Sequence, residues 1–338
     1  MKYAVIGLGA VGTVIGGLLI HAGEQVVLIG KPAQIEKLRK QGIFIKGLKR
    51  MDRMYSDEVS SDLSHVQKGD TVFICVKSQD THALAEQIRG HLKDTASLIS
   101  LQNGIHNATE LNTLTGKTAL AGIVLFNAVY QEPGEVEVTL KSGLLLESHP
   151  DHQETLQHIS SLFSMNGIHT ILMEDIKGYQ WSKLLVNLQM AVTALTGQEI
   201  KESILDRDTR DILAATIKEG ISVCEQAGIT LHTLPDIDPQ KMLWRMSTLP
   251  PFLLKVGSHF MGLKEGARNS MWQSLSRGKP TEIDYINGEI VELAQQHSLK
   301  APINQKLVDL IKKAEQTHAT KSFQPAALKR CLGVTDGP

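Results

Sequence analysis

At 338 residues the chain is long for one domain, so two are expected, and an apolar content of 42% is enough for packed cores. A net charge of −1 gives no general attraction to nucleic acid or anionic membranes, and the basic cluster at Lys46, Lys49 and Arg50 reads as a solvated loop. The apolar runs are too short to span a bilayer, no signal peptide precedes the first strand, and three scattered cysteines (Cys75, Cys224, Cys331) argue for a reducing, cytoplasmic setting without disulfides or zinc.

Residues Lys2 to Ile6 form a short apolar strand, and Gly7-Leu8-Gly9-Ala10-Val11-Gly12 follows at once. A helix of small and apolar residues runs from Thr13 to His21. Strand, glycine turn and helix together are the setting of a dinucleotide site. Gly7 permits the turn, Gly9 lets backbone approach a pyrophosphate, and Gly12 lets helix and strand pack closely. The second strand, Gln25 to Ile29, ends at Gly30-Lys31-Pro32. NAD-preferring sites place a carboxylate there, on the ribose 2′-hydroxyl; here Lys31 stands in its place, and Glu24 lies at the wrong end of the strand. An ammonium attracts a 2′-phosphate, so the cofactor is read as NADP(H).

Further strands are expected at 43–46, 71–76, 96–101, 119–126, 136–140, 144–146 and 168–172, with helices at 33–41, 81–91 and 153–165. This alternation indicates a doubly wound, Rossmann-type α/β sheet domain over residues 1–174. Two strand ends carry polar segments at the edge where such sheets bind ligands: Val76-Lys77-Ser78-Gln79 and Leu101-Gln102-Asn103-Gly104. From residue 175 to 338 the strand pattern stops and an all-helical substrate domain is expected, leaving a cleft between the domains. The tail after Ser322 carries no clear pattern.

The first helix of that domain is expected to be continuous from Ile176 to Thr196. At ~100° per residue, Trp181, Leu184, Leu185, Leu188, Val192 and Leu195 fall on one apolar stripe. Lys183, Asn187, Met190 and Ala194 fall opposite, with Lys183 and Asn187 as neighbours four apart. A face with a single lysine, an amide and small or apolar residues suits a partly desolvated site where a lysine donates a proton to a forming alkoxide. It equally describes a surface lysine beside a surface amide. Downstream, Thr281 followed by Asp284 reads as a capping box, placing Glu282 in the first turn of a helix. Glu282 could anchor a cation or a cofactor hydroxyl, or simply cap.

The segments GLGAVG at 7–12, Lys31, VKSQ at 76–79, LQNG at 101–104, WSKLLVN at 181–187 and TEIDYING at 281–288 together resemble the ketopantoate reductase (2-dehydropantoate 2-reductase) family. They occur in that family's order over roughly residues 1 to 315. The resemblance implies hydride transfer from NADPH to the carbonyl of a 2-keto acid, in pantothenate synthesis. It casts Lys183 as general acid and Glu282 as its partner or a cofactor contact. Asn103 and Asn187 would touch cofactor and substrate, Ser270 the substrate, and Lys77 and Ala128, the latter in the loop after the sixth strand, the cofactor. No metal is implied; the partner is a small 2-keto acid, and a homodimer is compatible with it. Two positions depart from the family: Ala191 and Ala267 stand where asparagines that hold substrate are expected, with Asn269 nearby but out of register. The alternatives are a related hydroxy-acid dehydrogenase with another substrate, or a non-catalytic NADP sensor.

Overall fold

The computed structural model describes residues 1–48, 52–235, 238–260, 268–317 and 322–335, without the side chains of 251 and 257–260. The chain divides into two compact units, Met1–Ile176 and Lys177–Pro338. The described strands all lie in the first unit. They are β1 (Lys2–Ile6), β2 (Gln25–Ile29), β3 (Phe44–Lys46), β4 (Glu58–Ser60), β5 (Thr71–Ile74), β6 (Ser97–Ser100), β7 (Ala119–Val124), β8 (Asn127–Glu132), β9 (Glu135–Leu140), β10 (Leu144–Glu147) and β11 (Thr170–Met173). Eight form one sheet in the order β11-β10-β7-β6-β5-β1-β2-β4, parallel throughout except where β10 meets β7. The other three form a small sheet, β3-β9-β8.

Five helices belong to this unit: α1 (Ala10–His21), α2 (Pro32–Gln41), α3 (Thr81–Ile88), α4 (Asn107–Thr115) and α5 (Gln153–Met165). The chain runs from β1 out to β2 and β4, then crosses back to β5, β6 and β7 on the other side. The β1–β5 pair is therefore the point where strand order reverses, the usual ligand position of such sheets. Strands of continuous apolar residues bury both faces, as parallel strands must. Tyr3, Phe73 and Phe163 are fully buried and pack in a row through the core as tilted pairs, with ring centroids 6.2 and 6.1 Å apart. Three elements escape the sequence pattern. β4 and β8 are polar and hence carry no apolar run, whereas α4 is rich in Thr and Asn, poor helix formers, and is held by burial of Ala108 and Leu111.

The described elements of the second unit are all helical: α6 (Lys177–Asn187), α7 (Gln189–Thr196), α8 (Ile200–Leu205), α9 (Arg207–Gln226), α10 (Pro239–Thr248), α11 (Pro251–Phe260), α12 (Ser270–Ser276), α13 (Asn287–Gln296), α14 (Pro302–Thr317) and α15 (Pro325–Leu332). The last of these occupies the tail that carries no clear pattern. The long α9 is the central post, burying Ile212, Leu213, Ile217 and Ile221. The helix expected over 176–196 is interrupted at Leu188. Its backbone stays right-handed and its N–H still donates to the Leu184 carbonyl (3.1 Å), while its own carbonyl accepts from buried Asn287 Nδ2 (3.5 Å). The apolar stripe lies inside as expected; Val186, Ala191 and Ala194 are buried as well, so α7 is enclosed more completely than one stripe requires.

Gly220 on α9 packs against Leu185 of α6 and Leu188 just after it. A Cβ there would lie 2.7 Å from Leu185 Cδ2 and 2.8 Å from Leu188 Cδ1. Gly220→Val is expected to destabilise the protein by about 1–3 kcal/mol through overpacking, read by urea denaturation.

Candidate active site

Parallel register brings the predicted cofactor residues to one sheet edge. Ile6 at the end of β1 pairs with Ile29 of β2 on one side and Ile74 of β5 on the other, and Ile74 pairs with Ser100 of β6. The glycine loop, Lys31, Lys77 and Asn103 thus all follow aligned strand ends. Gly7 has φ +95°, and a Cβ on it would meet Val76 N at 2.6 Å. A Cβ on Gly12 would lie 2.1 Å from the Gly7 carbonyl oxygen, so the loop closes only with glycine there. Leu8 is buried, while the space beside Gly9 is open, with nothing within 4 Å of a Cβ. Gly9 is the N-cap of α1 with no side-chain cap bond, and no acid stands in the first turn formed by Ala10, Val11 and Gly12. Open space over first-turn N–H groups, with no carboxylate among them, fits a pyrophosphate.

Lys31 is the exposed N-cap of α2, at the carboxyl end of β2. Glu24 is at the opposite end of that strand, where His158 Nε2 lies 2.7 Å from its carboxylate. Across the switch point, Lys77 precedes a short 3₁₀ turn, Ser78–Asp80. Asn103 is held through its carbonyl, which accepts from Ser78 Oγ and from Asn107 Nδ2, both at 2.6 Å. Thr81 Oγ1 donates to Asn107 Oδ1 (2.8 Å) and accepts from Gln102 Nε2 (2.7 Å), closing a network on buried Ser78, Thr81 and Asn107. This network joins the VKSQ and LQNG segments physically. Ala128 is not in a loop: it lies on β8, opposite Val138, because the chain turns straight from β7 into a hairpin with β9.

In the second unit, Lys183 and Asn187 are the two residues between 181 and 188 that keep partial exposure; Trp181, Ser182, Leu184, Leu185, Val186 and Leu188 are buried. The start of α6 is clamped. Ser182 Oγ donates to the Gly178 carbonyl (3.0 Å) and accepts from His232 N (3.1 Å), and the Tyr179 and His232 rings stack at 4.8 Å. These contacts set the rotation of the helix and hence the aim of Lys183. Burial pushes the Lys183 pKa down from 10.5 to about 8.

Residues 281–286 are not helical, so Glu282 does not sit in a first helical turn; α13 begins at Asn287. The capping box fails because Thr281 Oγ1 accepts from Ile283 N (3.2 Å), two residues on, while Asp284 pairs with Lys312 Nζ at 2.7 Å. Asn287 connects this turn to the helix of Lys183 and Asn187 through the Leu188 carbonyl. Ser270 is the exposed first residue of α12, whose N-cap Asn269 accepts from Trp272 N (2.8 Å) and donates to the Met190 carbonyl (3.1 Å). Ala191 is fully buried and offers no donor. Ala267 lies outside the described residues. Among those residues no group of three or more His, Cys, Asp or Glu could hold a metal, and no helix is long and apolar enough to cross a membrane.

Comparison with known proteins decides the family. Residues 3–151 match the family described as Ketopantoate reductase PanE/ApbA, and residues 175–315 match Ketopantoate reductase PanE/ApbA C terminal. The chain belongs to the ketopantoate reductase family. It is similar to the 2-dehydropantoate 2-reductase of Pyrococcus horikoshii, 32% identical over 93% of this chain and 98% of that protein. Among solved structures it is similar to a PanE/ApbA family ketopantoate reductase from Ralstonia eutropha JMP134, with TM-score 0.81, 28% identity, and 94% and 99% of the two chains covered. A D-mandelate dehydrogenase solved with NADH and anilino(oxo)acetate shares the fold at TM-score 0.77 and 20% identity, covering 94% and 99%. The protein is therefore an oxidoreductase of the ketopantoate reductase type that takes a nicotinamide cofactor, NADP(H) in this family.

Several residues that support the candidate site residues have no role expected from the sequence. Ser78 and Gln102 lie inside the segments singled out there, but their partners Thr81 and Asn107 become visible only once the two strand ends are side by side. Gln34 carries no motif, Asn269 enters only as the out-of-register neighbour of Ala267, and Asn287 lies inside the TEIDYING segment without a role of its own. Because Gly12 has no room for a Cβ, Gly12→Ala is expected to abolish binding of NADPH measured by titration, with the protein still folded by circular dichroism.

Proposed function

We propose that the protein reduces ketopantoate to pantoate with NADPH, the first unit holding the cofactor and the second supplying the acid. The single observation that carries the reading is Lys183: a partly buried lysine with its pKa lowered to about 8, on a helix locked in rotation. The nicotinamide, when bound, supplies a hydride to C2 of the keto acid. Lys183 Nζ gives its proton to the carbonyl oxygen, so the ketone becomes an alcohol and the lysine is left neutral. A lysine near pKa 8 is still mostly protonated at neutral pH yet releases its proton far more readily than an exposed one. Asn187, one turn on, holds the substrate beside the lysine; Asn103 contacts both ligands, Ser270 the substrate, and Glu282 either orients Lys183 or takes a cofactor hydroxyl. The first-turn N–H groups of α1 and Lys77 hold phosphate oxygens, and Lys31 holds the 2′-phosphate.

One observation favours a second reading, a hydroxy-acid dehydrogenase with another substrate: buried Ala191 removes a donor that would bind a hydroxyl. A lost donor of this kind weakens recognition by roughly 1–3 kcal/mol.

Lys183→Ala is expected to lower kcat with ketopantoate by about 10²–10⁴-fold, with NADPH affinity little changed. The pH profile has a definite sign. The protonated lysine is the active form in reduction, so kcat/KM falls as pH rises through about 8, while oxidation of the alcohol rises over the same range. Loss within a few-fold in a folded Lys183→Ala protein would return this lysine to a surface role. At the cofactor end, NADPH is expected to bind at least about tenfold tighter than NADH, about 1.4 kcal/mol, and Lys31→Glu to narrow or invert that ratio in direct titrations.

A further inference from the structure

Gln34, in the first turn of α2, uses every hydrogen-bonding atom of its side chain. Its Oε1 accepts from Lys31 N at 3.1 Å, the reciprocal half of a capping box. Its Nε2 donates to the Leu8 carbonyl at 2.9 Å and to Tyr130 Oη at 3.3 Å. The two main-chain partners fix the amide orientation, since a carbonyl can only accept and an N–H can only donate. The cap therefore does more than close α2: it joins the Lys31 backbone directly to the glycine loop. Leu8 lies between Gly7 and Gly9, and Tyr130 lies on β8. The amide also rests against Gly30, where a Cβ would come within 3.2 Å of Oε1.

We propose that Gln34 is a positioning residue for cofactor choice: it sets the place of Lys31 relative to the glycine loop, and so the match to a ligand carrying both a pyrophosphate and a ribose 2′-phosphate. The inference rests on the reading of Lys31 as the 2′-phosphate contact. Only an amide does this work. A glutamate at this position can accept from Lys31 N but has nothing to donate to the Leu8 carbonyl; a methionine fills the same space and does neither. A ligand without the 2′-phosphate gains little from a well-placed Lys31, so the effect falls on the ratio of the two cofactors.

Direct titration of NADPH and NADH into the purified protein, Gln34→Met, Gln34→Glu and Lys31→Ala tests this, with melting temperatures measured without cofactor. Gln34→Met is expected to weaken NADPH about three- to tenfold, the scale of one or two lost hydrogen bonds, and NADH less, so the preference narrows. Gln34→Glu, which keeps the cap, is expected to narrow it as well. An unchanged ratio in Gln34→Met, with Lys31→Ala collapsing it, overturns the positioning role while leaving Lys31 in place. Equal weakening of both cofactors with a lowered melting temperature also overturns it, since that is what a purely structural cap would do. An unchanged ratio in Lys31→Ala removes the reading of Lys31 and this inference with it.

Discussion

The in-register parallel pairing of β2, β1, β5 and β6 is the constraint on which the candidate cofactor site depends. Strands spaced ~4.8 Å apart, all pointing the same way, put their following loops side by side at one level. The glycine loop takes the middle, the Lys31 turn sits one strand away, and the Lys77 and Asn103 segments lie one and two strands away on the other side. Glycine is needed where the loop folds under itself, at Gly7 and Gly12, and the resulting open floor at Gly9 faces the first turn of α1. The positive charge and N–H groups at this edge follow from strand pairing that apolar burial enforces.

On the proposed function, the second unit works by desolvation. A lysine drawn out of water is costly unless it is paired, and this unit holds a buried, paired one and a partly buried one. Lys329 is buried and pairs with Asp208 at 3.2 Å and Asp211 at 2.6 Å, fastening α15 to α9. Lys183 forms no ion pair among the described residues, and its pKa falls instead. On the proposed function, that cost falls where a readily released proton is useful. The clamp of Ser182 and His232 at the start of α6 and the Asn287 contact at its end hold the helix against relaxing the lysine into solvent.

Much of this was legible in the residues. The strand–glycine–helix start, the β2 end at Lys31 and the apolar stripe from Trp181 to Leu195 are local patterns, and local patterns report local structure. What escaped is non-local or polar. The false capping box at Thr281 used a true rule at a site where Lys312, from another helix, takes the Asp284 side chain. The contact on the Leu188 carbonyl comes from Asn287, 99 residues away. β8, which contains Ala128, alternates too weakly in its residues to read as a strand. The carbonyl of Asn103, held from two other elements, has no signature in one chain's spacing at all.

On the proposed function, the keto group of ketopantoate is reduced here with Lys183 as proton donor. The most direct test is single-turnover oxidation of bound NADPH on mixing with ketopantoate, beside other branched 2-keto acids, with the alcohol product identified. Ketopantoate-dependent oxidation that yields pantoate, one alcohol per NADPH, is the expected result. NADPH that binds but stays reduced with every keto acid offered would contradict it.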